Sequence, residues 1–185
     1  MEIKNLEKRC YTFSHFMLSP MAKGIQTLHS TVELFNKYGI SPETKNELNL
    51  YNKENEIQYK LLTDWSLNHK TVISLNAGVS GDLDDLIYVL QDPDNQYPWA
   101  DFFEDEYSLK GVRTAASIIL TEKIYETAAL FRTRNFEWDY NLGRAVCLDT
   151  SKANIDMLEK LENYGRFTTF EMNFILILNQ YRLAS

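Results

Sequence analysis

The stretch that decides the fold runs from Tyr11 to Tyr38 and reads YTFSHFMLSPMAKGIQTLHSTVELFNKY. Side chains in its first part alternate with a period of two, which predicts a β-strand over residues 11–18. Ser19 and Pro20 then supply a helix N-cap and a residue suited to the first helical position. The apolar residues that follow recur with the helical period and form one stripe, which consists of Met21, Ile25, Leu28, Val32 and Phe35. We therefore expect a strand that leads directly into a helix.

A different face of this helix carries residues suited to ligand binding or catalysis. Gln26 and His29 share that face because they are three residues apart, and Lys23 and Gly24 precede them in the first turns. The free amides and the dipole of a helix start favour anions. An imidazole can act as a general acid or base near neutral pH. The pattern also fits a half-exposed His29 that simply pairs with Glu33, so both interpretations stay open.

Composition predicts one domain that acts on a small ligand. The formal charge of -7, from 19 basic and 26 acidic residues, argues against a protein that grips a long phosphate backbone. The sequence has no apolar run of about 18 residues and no charged-then-apolar leader, so we expect no membrane span and no signal peptide. Cys10 and Cys147 are too few for a disulfide framework and favour a reduced, cytoplasmic setting.

Beyond the opening stretch, strand and helix patterns alternate along the chain. Strands are predicted at 70–76, 97–103 and 113–120, and helices from Ser41 to about residue 68, from Ser80 to Gln91 and from Thr121 onward. This alternation predicts an α/β fold, in which a small mixed β-sheet is flanked by helices.

The last third of the chain predicts a helical extension. Residues 132–150 are irregular and aromatic, and residues 151–164 have a helical pattern. Thr168 and Glu171 form a capping box that opens a final helix. This helix is apolar nearly all round, so we expect it to be buried against the domain or against a partner such as another copy of the chain.

Three further positions are candidates for ligand contact. Asn76 ends a predicted strand just before a helix, which is where a ligand can meet the backbone. Arg113 can pair with a phosphate, or it can form an ordinary salt bridge. The acidic turn Glu104-Asp105-Glu106 can accept hydrogen bonds from ligand hydroxyls such as those of ribose. Neither Asp-x-Asp loop spacing nor a His-x-x-x-His pair is present, so no metal site and no cofactor is predicted.

The segment Lys23-Gly24-Ile25-Gln26-x-x-His29 resembles the start of the first helix in the type-2 peptidyl-tRNA hydrolases. The order of later elements is also similar, over roughly residues 10–120, and small phage-encoded relatives of that fold look closer still. The resemblance implies a hydrolase-like α/β domain over residues 1–125, followed by a helical extension over residues 126–185.

The resemblance also implies roles for single residues. Gln26 and His29 match the family motif, Lys23 resembles one of its basic residues, and Thr114 corresponds to its downstream threonine. Where those hydrolases have an Asp-Ala-Gly turn, this chain has the acidic turn. The implied catalytic residues are His29, Glu104, Asp105 and Thr114, and the ligand-binding residues are Lys23, Gly24, Gln26, Asn76 and Arg113.

Three functions follow as hypotheses. The first is a phage-type protein of this fold that binds a small nucleotide-type ligand, for example to sequester a host signalling nucleotide used in defence. The second is an active peptidyl-tRNA hydrolase, in which His29 is the base, Glu104 or Asp105 orients it, and Lys23 holds the tRNA 3' end. The third is a partner-binding protein that uses its apolar last helix.

Overall fold

A mixed β-sheet organises the computed structural model, which describes residues 6–41, 44, 55–105, 107, 111–152 and 155–183. The strands are β1 (Lys8–Ser14), β2 (Thr71–Asn76), β3 (Trp99–Phe103), β4 (Arg113–Thr121), β5 (Phe136–Asp139), β6 (Arg144–Cys147) and β7 (Arg182–Leu183). Four of them and the two-residue β7 form the main sheet in the order β3-β4-β1-β2-β7. β1 runs parallel to β2, whereas β4 is antiparallel to both β1 and β3.

Helices cover both faces of this sheet. They are α1 (Pro20–Tyr38), α2 (Asn55–Asp64), α3 (Ser80–Leu90), α4 (Glu122–Phe131), α5 (Ile155–Tyr164) and α6 (Thr169–Leu178). A π-helical turn, Trp65–His69, continues α2. In the part of the chain that the structure describes, no helix has the length and apolar character needed to cross a membrane.

The two faces of the sheet differ in chemistry. Tyr11 and Phe13 of β1 point into the main apolar core, which α3, α4 and α6 complete. The opposite face carries a smaller apolar cluster, in which Cys10 packs with Leu34 of α1 and Leu62 of α2. This second cluster occupies only the end of the sheet far from the start of α1, and polar side chains occupy the rest of that face.

The strands predicted at 70–76, 97–103 and 113–120 are confirmed within two residues, but the first strand lies earlier than expected. β1 spans Lys8–Ser14 instead of residues 11–18, because it pairs along its length with both β2 and β4. At this earlier start, Lys8 is buried in an ion pair with Asp64. Beyond Ser14 the chain turns, and the Leu18 amide donates to the His15 carbonyl.

The helix caps predicted at Ser19 and Thr168 are confirmed, whereas the Thr121 side chain at the start of α4 accepts no capping hydrogen bond. The Ser19 hydroxyl accepts the Ala22 amide at the start of α1, and Thr168 and Glu171 form the capping box of α6. The Ser41 hydroxyl accepts the Thr44 amide, as expected of an N-cap. The remainder of the helix predicted from Ser41 lies outside the described residues as far as residue 54.

The C-terminal part is not purely helical as predicted. Residues expected to be irregular form the β5–β6 hairpin, and the last helix ends at Leu178, after which β7 adds to the sheet edge. The expected boundary between residues 125 and 126 falls inside α4. Phe170, Phe174 and Ile175 of α6 are buried in the main core. The last helix therefore uses its apolar surface on its own domain, and no described feature supports a homo-oligomer formed through it.

The Lys8–Asp64 pair makes a test of this packing possible. Asp64→Asn should lower the free energy of unfolding by about 3 kcal/mol, because it leaves the Lys8 ammonium buried without a counter-charge. Lys8→Met should lower it by about 1 kcal/mol or less, because the Asp64 side chain is 31% exposed and water can solvate it. Urea unfolding at pH 7 measures both values, and equal losses would contradict the assignment.

The same pair predicts a pH dependence. Burial raises the pKa of the Asp64 carboxyl, but hydrogen bonds from Lys8 and Asn68 outweigh burial and hold that pKa below its ordinary value. Because the folded-state pKa is lowered, the stabilisation is complete above about pH 4 and is lost as the pH falls through the lowered pKa. The difference in stability between wild type and Lys8→Met should shrink over that range.

Candidate functional site

Helix α1 lies on the sheet with its polar face inward. The apolar stripe of Met21, Ile25, Leu28, Val32 and Phe35 points away from the sheet, and its members are 42 to 79% exposed. The buried face consists of Lys23, Gln26, Ser30, Leu34 and Tyr38. This orientation inverts the usual packing of an amphipathic helix, in which the apolar stripe faces the core.

The sheet surface under α1 explains the inversion. Residues of β1, β2 and β4 that point toward the first half of the helix are small and polar, and they are Thr12, Ser14, Ser74, Asn76 and Ser117. The Ser30 and Ser117 hydroxyls are 2.6 Å apart, and those of Thr12 and Thr27 are 3.2 Å apart. Buried polar groups need such partners, so the polar helix face matches a polar sheet face.

A β-bulge brings Thr114 into the site. Phe102 and Phe103 are adjacent on β3 but pair with Ala115 and Arg113 on β4, so Thr114 is the extra residue. Regular alternation would point Thr114 into the main core, whereas the bulge turns it toward α1. Its hydroxyl donates to the Gln26 carbonyl oxygen at 2.9 Å.

The Gln26 side chain connects α1 to both β4 and the segment that follows β3. Its amide nitrogen donates to the Glu104 carboxylate just after β3, while its amide oxygen accepts from Thr114. The structure therefore brings Gln26 together with Glu104 and Thr114, which are 78 and 88 positions later in the sequence. Both amide atoms of Gln26 are engaged, so its orientation is fixed before any ligand binds.

Lys23 is the cation of this site. It lies one turn before Gln26 on the buried face and is 7% exposed. Among the residues that the structure describes, none forms a hydrogen bond or an ion pair with its side-chain ammonium. The Ser14 hydroxyl at the end of β1 is fully buried without a hydrogen-bond partner. The Lys23 ammonium is not among such fully buried atoms, so the stem of this side chain is buried while its charge keeps contact with solvent at this end of the helix.

The backbone at the start of α1 contributes less than expected. Free amides were predicted there, but the Ser19 hydroxyl accepts the Ala22 amide and the Ser19 carbonyl accepts the Lys23 amide. Pro20 has no amide hydrogen. Gly24 is exposed and has no atom near the position of a Cβ, so it does not press against the sheet. An anion here would rely on Lys23 and the helix dipole rather than on a cradle of amides.

His29 does not join the network that was predicted for it. The described part of the chain shows no hydrogen bond from His29 to Glu33, Glu104 or Asp105, since Glu104 accepts from Gln26 instead. The imidazole packs against the Phe102 ring, with centroids 4.5 Å apart, and its Nδ1 atom is buried without a partner. A base oriented by a carboxylate, as hydrolysis was expected to use, is therefore not assembled.

Asp105, Arg113 and Asn76 have local structural contacts. The Asp105 side chain is exposed, and its carbonyl accepts the Gly111 amide. The Arg113 guanidinium donates to Asp101 at 2.9 Å and pairs with Asp84. The prediction that Arg113 binds a phosphate is thus replaced by the salt-bridge alternative, with partners other than the acidic turn.

Asn76 closes a turn at the end of β2. Its side-chain oxygen accepts the Gly78 amide at 3.2 Å, and Gly78 has a φ of 78°, a conformation that favours glycine. A cavity of about 590 Å³ opens beside this turn, between α3 and the end of α6. Its lining includes Phe16, Asn76, Asp82, Asp85 and Tyr181.

The connections after β1 and β2 place this edge at a topological switch point. β1 leads into α1 on one face of the sheet, whereas the neighbouring parallel strand β2 leads into α3 on the other face. Ligands of open α/β sheets bind at the carboxyl ends of strands where connections diverge in this way. Lys23, Ser14 and the cavity beside Asn76 all lie at this edge.

Sequence reasoning missed the buried hydroxyl layer under α1. The signal was present in β1, where Cys10, Thr12 and Ser14 alternate with aromatic residues and therefore share the face opposite the core. Ser117 lies within the mostly apolar run 115–120, so no local pattern marked it as part of this layer. In the described residues, no three His, Cys, Asp or Glu side chains converge in a way that could hold a metal ion.

Comparison of the sequence with protein-family models and with curated proteins finds no match.

The Gln26 network can be tested with one substitution. Gln26→Glu should reduce the free energy of unfolding by about 2 kcal/mol at pH 7, because a hydrogen bond to a carboxylate becomes a repulsion between two carboxylates. The loss should be smaller at pH 4, where a protonated Glu side chain can again donate to Glu104. Denaturant unfolding at both pH values measures this.

The exposed Gln96 provides a matched control. Gln96→Glu adds the same charge away from the site and should change stability by less than about 0.5 kcal/mol at either pH. A Gln26→Glu loss that does not depend on pH would contradict the proposed contact with Glu104.

Proposed function

We propose that the protein binds a small anionic ligand of the nucleotide type under the first turns of α1, without cleaving it. The position of Lys23 on the buried face, with no counter-charge among the described residues, is the observation that carries this proposal. The Lys23 ammonium is held at the edge of the site without an ion pair to any described residue, and a bound phosphate would provide both the opposite charge and hydrogen-bond acceptors.

The surroundings of Lys23 support an anion rather than a metal or a cation. The dipole of the 19-residue helix α1 places partial positive charge at this end. Gln26 is held in place by Glu104 and Thr114, which preorganises the site at no further entropic cost when a ligand binds. The Ser14 hydroxyl is a further unused donor at the same end of the sheet.

The size and polarity of the edge favour a nucleotide over a bare phosphate. A cavity of about 590 Å³ opens at this edge between α3 and the end of α6, and its volume falls in the range that holds small-molecule ligands, but neither Lys23 nor Gln26 lines it. Its carboxylates, Asp82 and Asp85, suit hydroxyl and amino donors such as those of a ribose or a base. The chain as a whole carries a charge of -7, which disfavours long nucleic acids but not a single nucleotide.

The resemblance to small phage-encoded relatives of the type-2 peptidyl-tRNA hydrolase fold suggests the biological role. We propose that the chain adopts this fold and sequesters a host signalling nucleotide in the host cytoplasm. Its two cysteines are free thiols, which suits a reducing compartment. Burial raises the pKa of the Cys10 thiol to about 12, so this cysteine is inert.

Peptidyl-tRNA hydrolysis is the second candidate, and the contact of Gln26 with Glu104 and Thr114 favours it. The site lacks a carboxylate that orients His29, and the imidazole packs against Phe102. Binding without cleavage therefore agrees with more of the observed side-chain contacts than hydrolysis does.

Nucleotide binding should depend on Lys23, whereas stability without ligand should not. Lys23→Met should weaken nucleotide binding at least tenfold, because it removes a charge-assisted hydrogen bond of about 1.5–3 kcal/mol. The same variant should be about as stable as wild type without ligand, because Met keeps the buried apolar stem and the Lys23 ammonium forms no ion pair with a described residue. Titration calorimetry with a panel of cyclic and ADP-ribose-type nucleotides measures affinity, and thermal unfolding measures stability.

Lys37→Met is the matched control, because Lys37 is an exposed lysine at the far end of the same helix. It should leave nucleotide affinity unchanged. Equal loss of affinity in both variants, or no binding by wild type to any nucleotide of the panel, would reject the proposal.

Cleavage is tested on the bound ligand itself. After incubation with wild-type protein and heat denaturation, the nucleotide should be recovered intact, because no assembled base activates water. Release of peptide from diacetyl-lysyl-tRNA by wild type, but not by His29→Ala, would establish the hydrolase alternative instead.

A further inference from the structure

The outward stripe of α1 is the most continuous apolar surface among the described residues. Met21, Ile25, Leu28, Val32 and Phe35 are all exposed on one helix, whereas the exposed apolar side chains of other elements, such as Tyr88 and Leu148, are scattered singly. Scattered apolar residues are normal on a protein surface, but a continuous stripe indicates an interaction site.

The spacing of the stripe indicates what kind of partner covers it. The intervals between its residues alternate four, three, four and three. This is the a and d spacing by which one helix packs its seam against another helix. A flat ligand or an extended strand does not require this periodicity.

We infer that the partner is α1 of a second copy of this chain, so that the protein forms a dimer through the stripe. A seam of this spacing is complementary to the identical seam of a second copy related by a two-fold axis. The residues that flank the stripe include no Lys, Arg, Asp or Glu, and they are Ala22, Gly24, His29, Thr31, Asn36 and Tyr38.

The distribution of charge favours α1 over the other surfaces of the protein as the dimer contact. The chain has a net charge of -7, so most approaches of two copies are repulsive. α1 carries two lysines and one glutamate, and it is therefore a non-acidic surface on an acidic protein. The stripe consists of five side chains on one helix, so we expect a small interface and a dissociation constant in the micromolar range.

This inference does not depend on the proposed function. The stripe and Lys23 lie on opposite faces of α1, so a dimer leaves the polar site under the helix in place. Either proposal can fail without the other.

Sedimentation velocity from about 1 to about 200 μM tests the dimer. Wild type should shift from monomer to dimer over this range, whereas Leu28→Lys should stay monomeric, with at least a tenfold higher dissociation constant. Leu28 is 61% exposed, so the variant should fold, and near-ultraviolet circular dichroism checks this.

Tyr88→Lys, at an equally exposed position on α3, should dimerise like wild type. Three results would overturn the inference: a wild type that stays monomeric at the highest concentration, a Leu28→Lys variant that dimerises like wild type, or a Tyr88→Lys variant that is also monomeric.

Discussion

The contact between the polar face of α1 and the polar end of the sheet is the constraint on which the rest of the structure depends. A helix on a sheet can bury only one face, and here the hydroxyls of Thr12, Ser74 and Ser117 select the polar one. Buried hydroxyls require hydrogen-bond partners, and α1 supplies them from Thr27 and Ser30. Two consequences follow directly. The stem of Lys23 is buried while its ammonium has no counter-charge among the described residues, and the apolar stripe of the same helix faces away from the protein.

The edge of the sheet then collects the polar groups that a ligand can use. The parallel pair β1–β2 sends its connections to opposite faces, which opens the edge between them. The bulge in the β3–β4 pair turns Thr114 out of the apolar core and toward Gln26. The main core on the other face contains α3, α4 and α6 and needs none of these polar residues. The two faces of the sheet thus have different roles, because one face forms the apolar core that stabilises the domain and the other presents polar groups.

Much of this architecture was predictable from sequence, and the exceptions have physical causes. The strands β2, β3 and β4 follow from local patterns of apolar and β-branched residues, and the caps at Ser19 and Thr168 follow from local hydrogen bonding. The orientation of α1 did not follow, because an apolar stripe normally faces the core and only the neighbouring strands reveal a polar surface. The position of Thr114 depends on a bulge that no local pattern marks.

For the candidate site, the sequence identified several of the residues but not the contacts between them. Gln26, Glu104 and Thr114, which the sequence singled out separately, are hydrogen-bonded to one another through Gln26. His29 does not join them, because the Glu104 carboxylate accepts from Gln26 and the imidazole packs on Phe102. Arg113 is held by Asp84 and Asp101 in competition with any phosphate. A charged side chain often has several plausible partners in the sequence. Tertiary geometry decides which of them it contacts, and the spacing of residues in the sequence does not reveal that choice.

The most direct test of this account measures which face of α1 is buried. Two single-cysteine variants, Leu28→Cys and Ser30→Cys, can be prepared in a Cys147→Ser background, since Cys10 is fully buried. Thiol labelling at a concentration below dimer formation should modify Leu28→Cys nearly as fast as the denatured chain, while Ser30→Cys should be strongly protected. Fast labelling of Ser30→Cys together with protection of Leu28→Cys would contradict the account, because it would place the apolar stripe against the sheet.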